Sequence, residues 1–269
     1  MIVCLMGPHA VHAQEVLYTP SATSPGKGIT SIRTVAAYES YDGQRADGPF
    51  KLDQYTVETI LAHGITADLT LMMHLPVTYR DFSEPATSNS ESFGLEDIRT
   101  MFKYRFYQDD IGNIDTVRMS AMVGIELPSY WDGFSSDSFD PFAGVALTAI
   151  EGRHGVGAHA MYQWNTGDDP TGIEFSDSEA DAVRLDGSYL YRIDPDEYTI
   201  DTTKSTYLTL EFNNRYETNG DFEALIGPGI LIEATNWAAE MAVRFPIAQE
   251  IDNRAELNWS LTFGLRFTF

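Results

Sequence analysis

The chain is nearly without cysteine. Cys4 is the only one in 269 residues, which removes any disulfide framework and any cluster of cysteine metal ligands. A chain of this length buries enough apolar surface to fold without such staples. Basic residues are also scarce: 17 Lys and Arg stand against 40 Asp and Glu, a formal net charge of -23. A phosphate backbone needs a basic footprint, so this balance argues against nucleic acid as a partner. It argues equally against a polybasic membrane-surface binder. No run of about eighteen apolar residues exists, so no helix of the chain crosses a bilayer. Phosphate-loop and dinucleotide signatures are missing as well. With 43% hydrophobic and 12% aromatic residues, disorder is not the explanation. None of these absences excludes a transmembrane strand, which needs only about ten residues with every second one apolar. A barrel of such strands has a polar interior, so a mean hydropathy of -0.22 is compatible with it.

What the chain has in quantity is alternation. From Ala255 it reads AELNWSLTFGLRFTF. Ala255, Leu257, Trp259, Leu261, Phe263, Leu265, Phe267 and Phe269 share one parity, while Glu256, Asn258, Ser260, Thr262, Gly264, Arg266 and Thr268 share the other. Soluble strands average about five or six residues, and one this long would need a second sheet to hide its apolar face. Lipid outside and a wet lumen inside suit it directly. Residues 97–106 likewise set Ile98, Thr100, Phe102, Tyr104 and Phe106 against Asp97, Arg99, Met101, Lys103 and Arg105. Residues 117–127 set Val117, Met119, Ala121, Val123, Ile125 and Leu127 against Arg118, Ser120, Met122, Gly124 and Glu126. Residues 66–75, 181–193 and 239–245 repeat the pattern, and a helical period fits none of these windows.

Counting gives about twelve strands, over residues 29–41, 52–62, 66–76, 95–107, 115–128, 140–150, 154–164, 181–193, 203–213, 222–233, 238–246 and 255–269. An even number suits a single-chain barrel with both termini on one side. The expected fold is all-β: one transmembrane antiparallel β-barrel over residues 29–269. Gly227, Pro228 and Gly229 mark a bulge or bend in the tenth strand.

Connections alternate in length. Short ones fall at 62–65, 107–114, 151–153, 193–201 and 234–237, and longer or more polar ones at 42–51, 76–94, 129–139, 165–180, 214–221 and 246–254. Short periplasmic turns opposite longer extracellular loops are the outer-membrane pattern. It puts the loops around Ser83–Ser92 and Asp168–Glu179 outside the cell. Aromatic residues gather near strand ends, as at Tyr104, Phe106 and Tyr107 or Tyr162 and Trp164, where interfacial girdles need them. Residues 1–13 read as the tail of a secretory signal, with a break at Gly7-Pro8 and a small-residue cleavage site ending at Ala13. Cys4 falls inside it. Residues 14–28 are then expected as a periplasmic segment ahead of the first strand.

The run Phe93–Phe106, with its Gly94-Leu95, Asp97 and Lys103-Tyr104-Arg105-Phe106, resembles a strand of the outer-membrane family named for the MetA pathway of phenol degradation. Leu127-Pro128, Ile226-Gly227-Pro228-Gly229, Phe245-Pro246 and the closing Gly264–Phe269 resemble it too, so the likeness spans about residues 50–269. It implies an outer-membrane channel or transporter, often encoded near genes for aromatic breakdown, with no catalytic residues to carry over. The final Phe269, preceded by alternating aromatics, resembles the C-terminal strand read by the bacterial insertion machinery. That machinery, outer-membrane lipid with lipopolysaccharide, and a small-molecule solute are the expected partners.

Catalytic and metal chemistry have little to stand on. Outer-membrane lipid hydrolases use a Ser nucleophile and a His base in a His-x-Ser arrangement. None of His9, His12, His63, His74, His154 or His159 is followed at the second position by Ser. A triad assembled from distant residues stays open. His154 and His159 differ in parity and cannot share a face as metal ligands. The acids at 168–169, 177–181 and 194–197 lack the Gly and closing Glu of a calcium loop and read as solvated. No cofactor or metal is expected.

The charges of inward parity are more informative: Asp97, Arg99, Lys103, Arg105, Arg118, Glu126, Arg184, Asp186, Glu211, Glu223, Glu240, Arg244, Glu256 and Arg266. An Arg or Lys facing lipid at mid-depth costs about 2–4 kcal/mol, so this set must face the lumen. There it either lines an aqueous path that selects a solute by charge or pairs and fills a narrow interior. Arg99, Lys103, Arg105 and Arg118 make a basic wall whose own strands supply only Asp97 and Glu126. Further partners are expected across the barrel from Glu211, Glu240 or Glu256, or from the solute. The expected function is passive uptake of small molecules, aromatic or otherwise apolar, without enzymatic activity. A lipid hydrolase and a structural barrel with partner-binding acidic loops are the alternatives.

Overall fold

The computed structural model describes residues 15–45, 48–83, 90–111, 114–167, 180–199 and 201–269. The signal-like residues 1–13 and the loop acids of 168–179 lie outside them. Every regular element among the described residues is a strand: β1 (Thr30–Arg45), β2 (Gly48–Gly64), β3 (Leu69–Ser83), β4 (Ser90–Leu95), β5 (Ile98–Ile111), β6 (Asp115–Leu127), β7 (Asp140–Glu151), β8 (His154–Gln163), β9 (Ala182–Asp194), β10 (Lys204–Glu217), β11 (Phe222–Ala234), β12 (Trp237–Glu250) and β13 (Glu256–Thr268). β4 and β5 are two halves of one wall strand interrupted at Glu96 and Asp97. Both pair with β3, at Val77↔Leu95 and at His74↔Arg99. The wall therefore has twelve strands, all antiparallel to their sequence neighbours. Pairing of β1 with β13 closes it. Thr30 and Phe269 complete the seam by exchanging backbone hydrogen bonds of 3.0 and 2.9 Å. Closure is what a bilayer demands, because an open edge would leave N–H and C=O groups unpaired in hydrocarbon.

Parity decides which side chains meet lipid. Leu71, Phe102, Val123, Val145, Leu185, Leu208, Leu261 and Phe263 are exposed on the outside, while Thr70, Ser120, Thr148, Ser260 and Thr262 are buried inside. Near the end away from the termini, Tyr55, Tyr38 and Trp259 lie side by side, with ring centroids 5.0 Å apart in both pairs. Amphipathic rings at that depth suit a membrane interface.

Above this ring the pattern inverts. Tyr41, Phe50, Leu52, Phe82, Leu225, Ala255 and Leu257 form a buried apolar cluster, while Lys51, Asp42 and Glu256 are exposed. Outside the bilayer the outer wall faces water, so the apolar face turns inward. Tyr41, Phe50, Leu52 and Phe82 keep the parity of the luminal Glu39, Gln54 and Arg80, so on these strands the residue type alone changes along one face; on β13 a bulge at Asn258, opposite Ser40/Tyr41, brings Leu257 onto it. Two expectations are corrected here. The alternation read from Ala255 is not one continuous face: it slips at Asn258, so Glu256 points outward and does not line the lumen. At Gly227 and Pro228, where a bulge or bend was expected, the β11–β12 ladder skips both residues, and the bulge itself is at Ile247 of β12. The first strands also run on past the 41, 52 and 76 boundaries. What read as a long connection at 42–51 is two extended strands joined across 46–47.

Ala36 and Ala37 test the wall directly, because they are neighbours of one residue type on opposite faces. Ala36 is exposed toward lipid, opposite Phe263, whereas Ala37 lines an inner cavity. Ala36→Arg is expected to lower barrel stability by about 2–4 kcal/mol in denaturant titrations in lipid, and Ala37→Arg by less than half of that. Equal losses would contradict the facing.

Candidate functional site

The lumen is not empty. Residues 15–28, expected on the periplasmic side, fold back inside the barrel and rest on inward side chains from eight of its strands. The Glu211 carboxylate on β10 accepts the backbone N–H groups of Tyr18 and Thr19, at 3.0 and 2.7 Å. Thr148 on β7 accepts from Ala22 N–H at 2.9 Å, and Ser120 on β6 donates to its carbonyl at 2.8 Å. Ser24 bonds Thr70 at 2.7 Å on β3. The Tyr18 hydroxyl donates to Thr262 on β13, and its ring lies 3.7 Å below the Arg244 guanidinium. A segment without regular structure has backbone groups to satisfy, and these wall side chains satisfy them. Glu15 ends the segment 2.7 Å from Arg266. Burial alone would raise its carboxyl, but Lys103, Arg266 and Arg33 hold it down to about 2. It therefore stays ionised at any ordinary pH.

The inward charges pair close to home. Arg99 binds Glu126, Arg105 binds Asp68 at 2.7 Å and Arg118 binds Asp110 at 3.2 Å. Arg244 reaches Glu39 at 3.0 Å, Glu240 takes Arg33 at 2.6 Å and Arg266 also takes Glu233 at 2.6 Å. The expectation that Glu211, Glu240 and Glu256 would answer the basic wall from across the barrel is corrected. Glu211 holds the inner segment, Glu240 serves Arg33, and Glu256 faces outward. Asp68, of inward parity in the 66–75 alternation, and Asp110, which the sequence did not single out, sit at the turn ends of the same wall. Lys103 donates to the Ser21 carbonyl at 3.2 Å. Asp97, in the break between β4 and β5, accepts from Ser129 and Ser136 N–H, both at 2.9 Å. It thereby ties the 128–139 loop over the mouth. Arg80 adds to this tie by donating to the Gly133 carbonyl at 2.8 Å and lying 4.4 Å from the Phe134 ring.

The inner segment borders several cavities, and two of them follow the lumen. The outer one, about 410 Å³, runs from the 128–139 loop down to Tyr18. The inner one, about 820 Å³, runs from there to the 234–237 turn at the end where the termini lie. They share Leu17, Tyr18, Glu58, His74, Arg99 and Arg184. The His74 Nδ1 lies 3.0 Å from Glu58 in this shared ring. His159, the other inward histidine, has its Nδ1 2.9 Å from Asp186, while its Nε2 has no partner among the described residues. No hydroxyl engages that nitrogen, so the Ser–His pairing of a hydrolase is not formed there. His154 is exposed beside Tyr189.

Among solved structures the chain is similar to an outer membrane channel from Pseudomonas putida F1, at 15% identity and a TM-score of 0.64, covering 98% of this chain and 99% of that one. It is also similar to the beta domain of a Bordetella autotransporter, at 14% identity and a TM-score of 0.50, covering 90% of this chain and 100% of that one. The chain has the fold of a closed outer-membrane β-barrel. The likeness is one of fold, and the apolar belt with a polar lumen is what such a location requires. No family model matches the sequence, and no curated protein does.

The clamp on the inner segment can be tested by amide exchange. Glu211→Leu is expected to speed exchange at Tyr18 and Thr19 by roughly tenfold to a hundredfold, the range for losing bonds to a charged acceptor. Ala22, held by Thr148, should keep its protection. Unchanged exchange at Tyr18 and Thr19 would contradict the clamp.

Proposed function

We propose that the barrel is a passive channel for small molecules, with a path that runs along the β2–β3–β5 wall beside the inner segment. The observation that carries this reading is the shared ring: six residues line both cavities, so no more than these side chains stands between the two spaces. The charged and polar side chains of the shared ring, Glu58, His74, Arg99 and Arg184, favour a hydrated solute route over a filled interior. Ion pairs held along each stretch of wall leave the side chains fixed at the edge of that route instead of spanning it. In this reading Arg99 and Arg184, which line both cavities, set the charge of the narrowest part. Arg244, Glu39 and Glu211 hold the inner segment in place. The quoted motifs at Phe93–Phe106 and Gly264–Phe269 support grouping the chain with the MetA-pathway family. Phe269, at the seam with Thr30, fits the role of an insertion signal.

Conductance in planar bilayers is the test. The full chain is expected to conduct in small steps, and removal of residues 15–24 to raise the step size several-fold while the barrel stays folded on heat-modifiability gels. Absence of conductance in both forms would overturn the channel reading.

A further inference from the structure

Most Arg residues of the lumen are answered by a carboxylate, and carboxylates are left over. Four Arg and six Asp or Glu line the outer cavity. Three of those Arg are paired inside the same lining: Arg80 with Glu96 at 3.0 Å, Arg99 with Glu126, and Arg244 with Glu39 at 3.0 Å. Arg184 is then set against three carboxylates, Glu58, Asp97 and Asp140. Among the described residues no Lys or Arg lies within ion-pair distance of these three. Asp97 accepts from the Ser129 and Ser136 N–H groups, and Asp140 from the Ser138 hydroxyl at 2.8 Å and the Thr166 N–H at 2.7 Å. Glu58 has the His74 ring at 3.0 Å. Neutral donors hold a carboxylate without cancelling its charge. A protonated His74 would still leave the acids in excess.

The inner cavity does not offset this surplus. Arg33, Arg105 and Arg118 are answered by Glu240, Asp68 and Asp110, and Arg266 by both Glu15 and Glu233. Lys103 is then set against Asp186, held by His159 and Asn213, and Glu211, held by the N–H groups of Tyr18 and Thr19. At the other end, the 128–139 loop over the mouth adds the exposed Asp132 and Asp137 and no Lys or Arg. Charges of one sign along a low-dielectric cleft gather ions of the other sign, and the whole chain carries a formal net charge of -23.

Glu58 is where a solute meets this surplus. Asp140 is buried, at 3% exposure, and Asp97 is tied into the loop. The Glu58 side chain is 29% exposed and belongs to the ring that lines both cavities. The two Arg of that ring do not reverse the balance. Glu126 already answers Arg99, which leaves one Arg and one Glu in the ring, with acid in excess on either side of it. Resting on the channel reading, we propose that the path passes small cations, alkali ions and short alkylammonium ions alike, in preference to anions, with Glu58 the selecting carboxylate of the ring.

Reversal potentials of the full chain in planar bilayers test this, with about 0.1 M KCl facing about 0.01 M so that screening stays weak. K⁺ is expected to be about tenfold more permeant than Cl⁻. Glu58→Gln keeps a hydrogen-bonding partner for His74 and is expected to lower that ratio roughly threefold, the scale of one partly screened charge. Glu256→Gln removes the same charge from the outward face and is expected to leave the ratio unchanged. Should Glu58→Gln fail to give a heat-modifiable barrel, Ala37→Arg, which places a cation in the outer lining, is expected to lower the ratio in its stead. Methylammonium in place of K⁺ is expected to carry current. A ratio near one, a preference for Cl⁻, exclusion of methylammonium, or equal effects of Glu58→Gln and Glu256→Gln would overturn the proposal and leave the channel standing. Absence of conductance would remove both.

Discussion

A charge cannot face lipid cheaply, and a backbone polar group cannot go unpaired there. The rest of this structure follows from those two constraints. Twelve strands must close, and every charged side chain at membrane depth must turn inward. Arg33, Arg99, Lys103, Arg105, Arg118, Arg244 and Arg266 then share a narrow interior, where an unpaired ion costs several kcal/mol. Most are answered within one or two strands, as Arg99 is by Glu126 and Arg105 by Asp68. The inner segment answers others, through Glu15 on Arg266 and the Ser21 carbonyl on Lys103. Pairing of neighbours keeps the charges on the wall and leaves space beside them.

Where the bilayer ends, the constraint ends with it. At the rim away from the termini the inward face becomes apolar, around Phe50, Leu52 and Leu257, and acids such as Asp42 and Glu256 point to water. On β13 a bulge at the boundary brings Leu257 onto that face, since one extra residue flips the side chains beyond it in its own strand.

Period-two alternation made the wall legible in the sequence: strand number, facing of the 97–106 and 117–127 residues, and turn polarity all follow from it. It could not reveal its own interruption. Nothing around Asn258 distinguishes a bulge from one more polar residue in a polar row, so Glu256 read as luminal. The inner segment was illegible for a different reason. Residues 15–28 have no periodicity, and their position is set by side chains far away in sequence. One signal was available: Glu211 lies in register between Ser188 and Gly227, with no cation beside it. A buried carboxylate without a neighbouring cation must find donors elsewhere, and here they are the N–H groups of Tyr18 and Thr19.

The account's central claim is continuity: the two cavities meet at the ring formed with Glu58 and His74, beside the inner segment. Thiol accessibility at that ring reports it most directly. In a Cys4→Ser background, His74→Cys is expected to react with a small membrane-impermeant thiol reagent added outside intact cells, and equally with the reagent supplied from the periplasmic side of oriented vesicles. Reaction from one side alone, or from neither, in a folded barrel would mean that the inner segment seals the lumen, and would contradict the path.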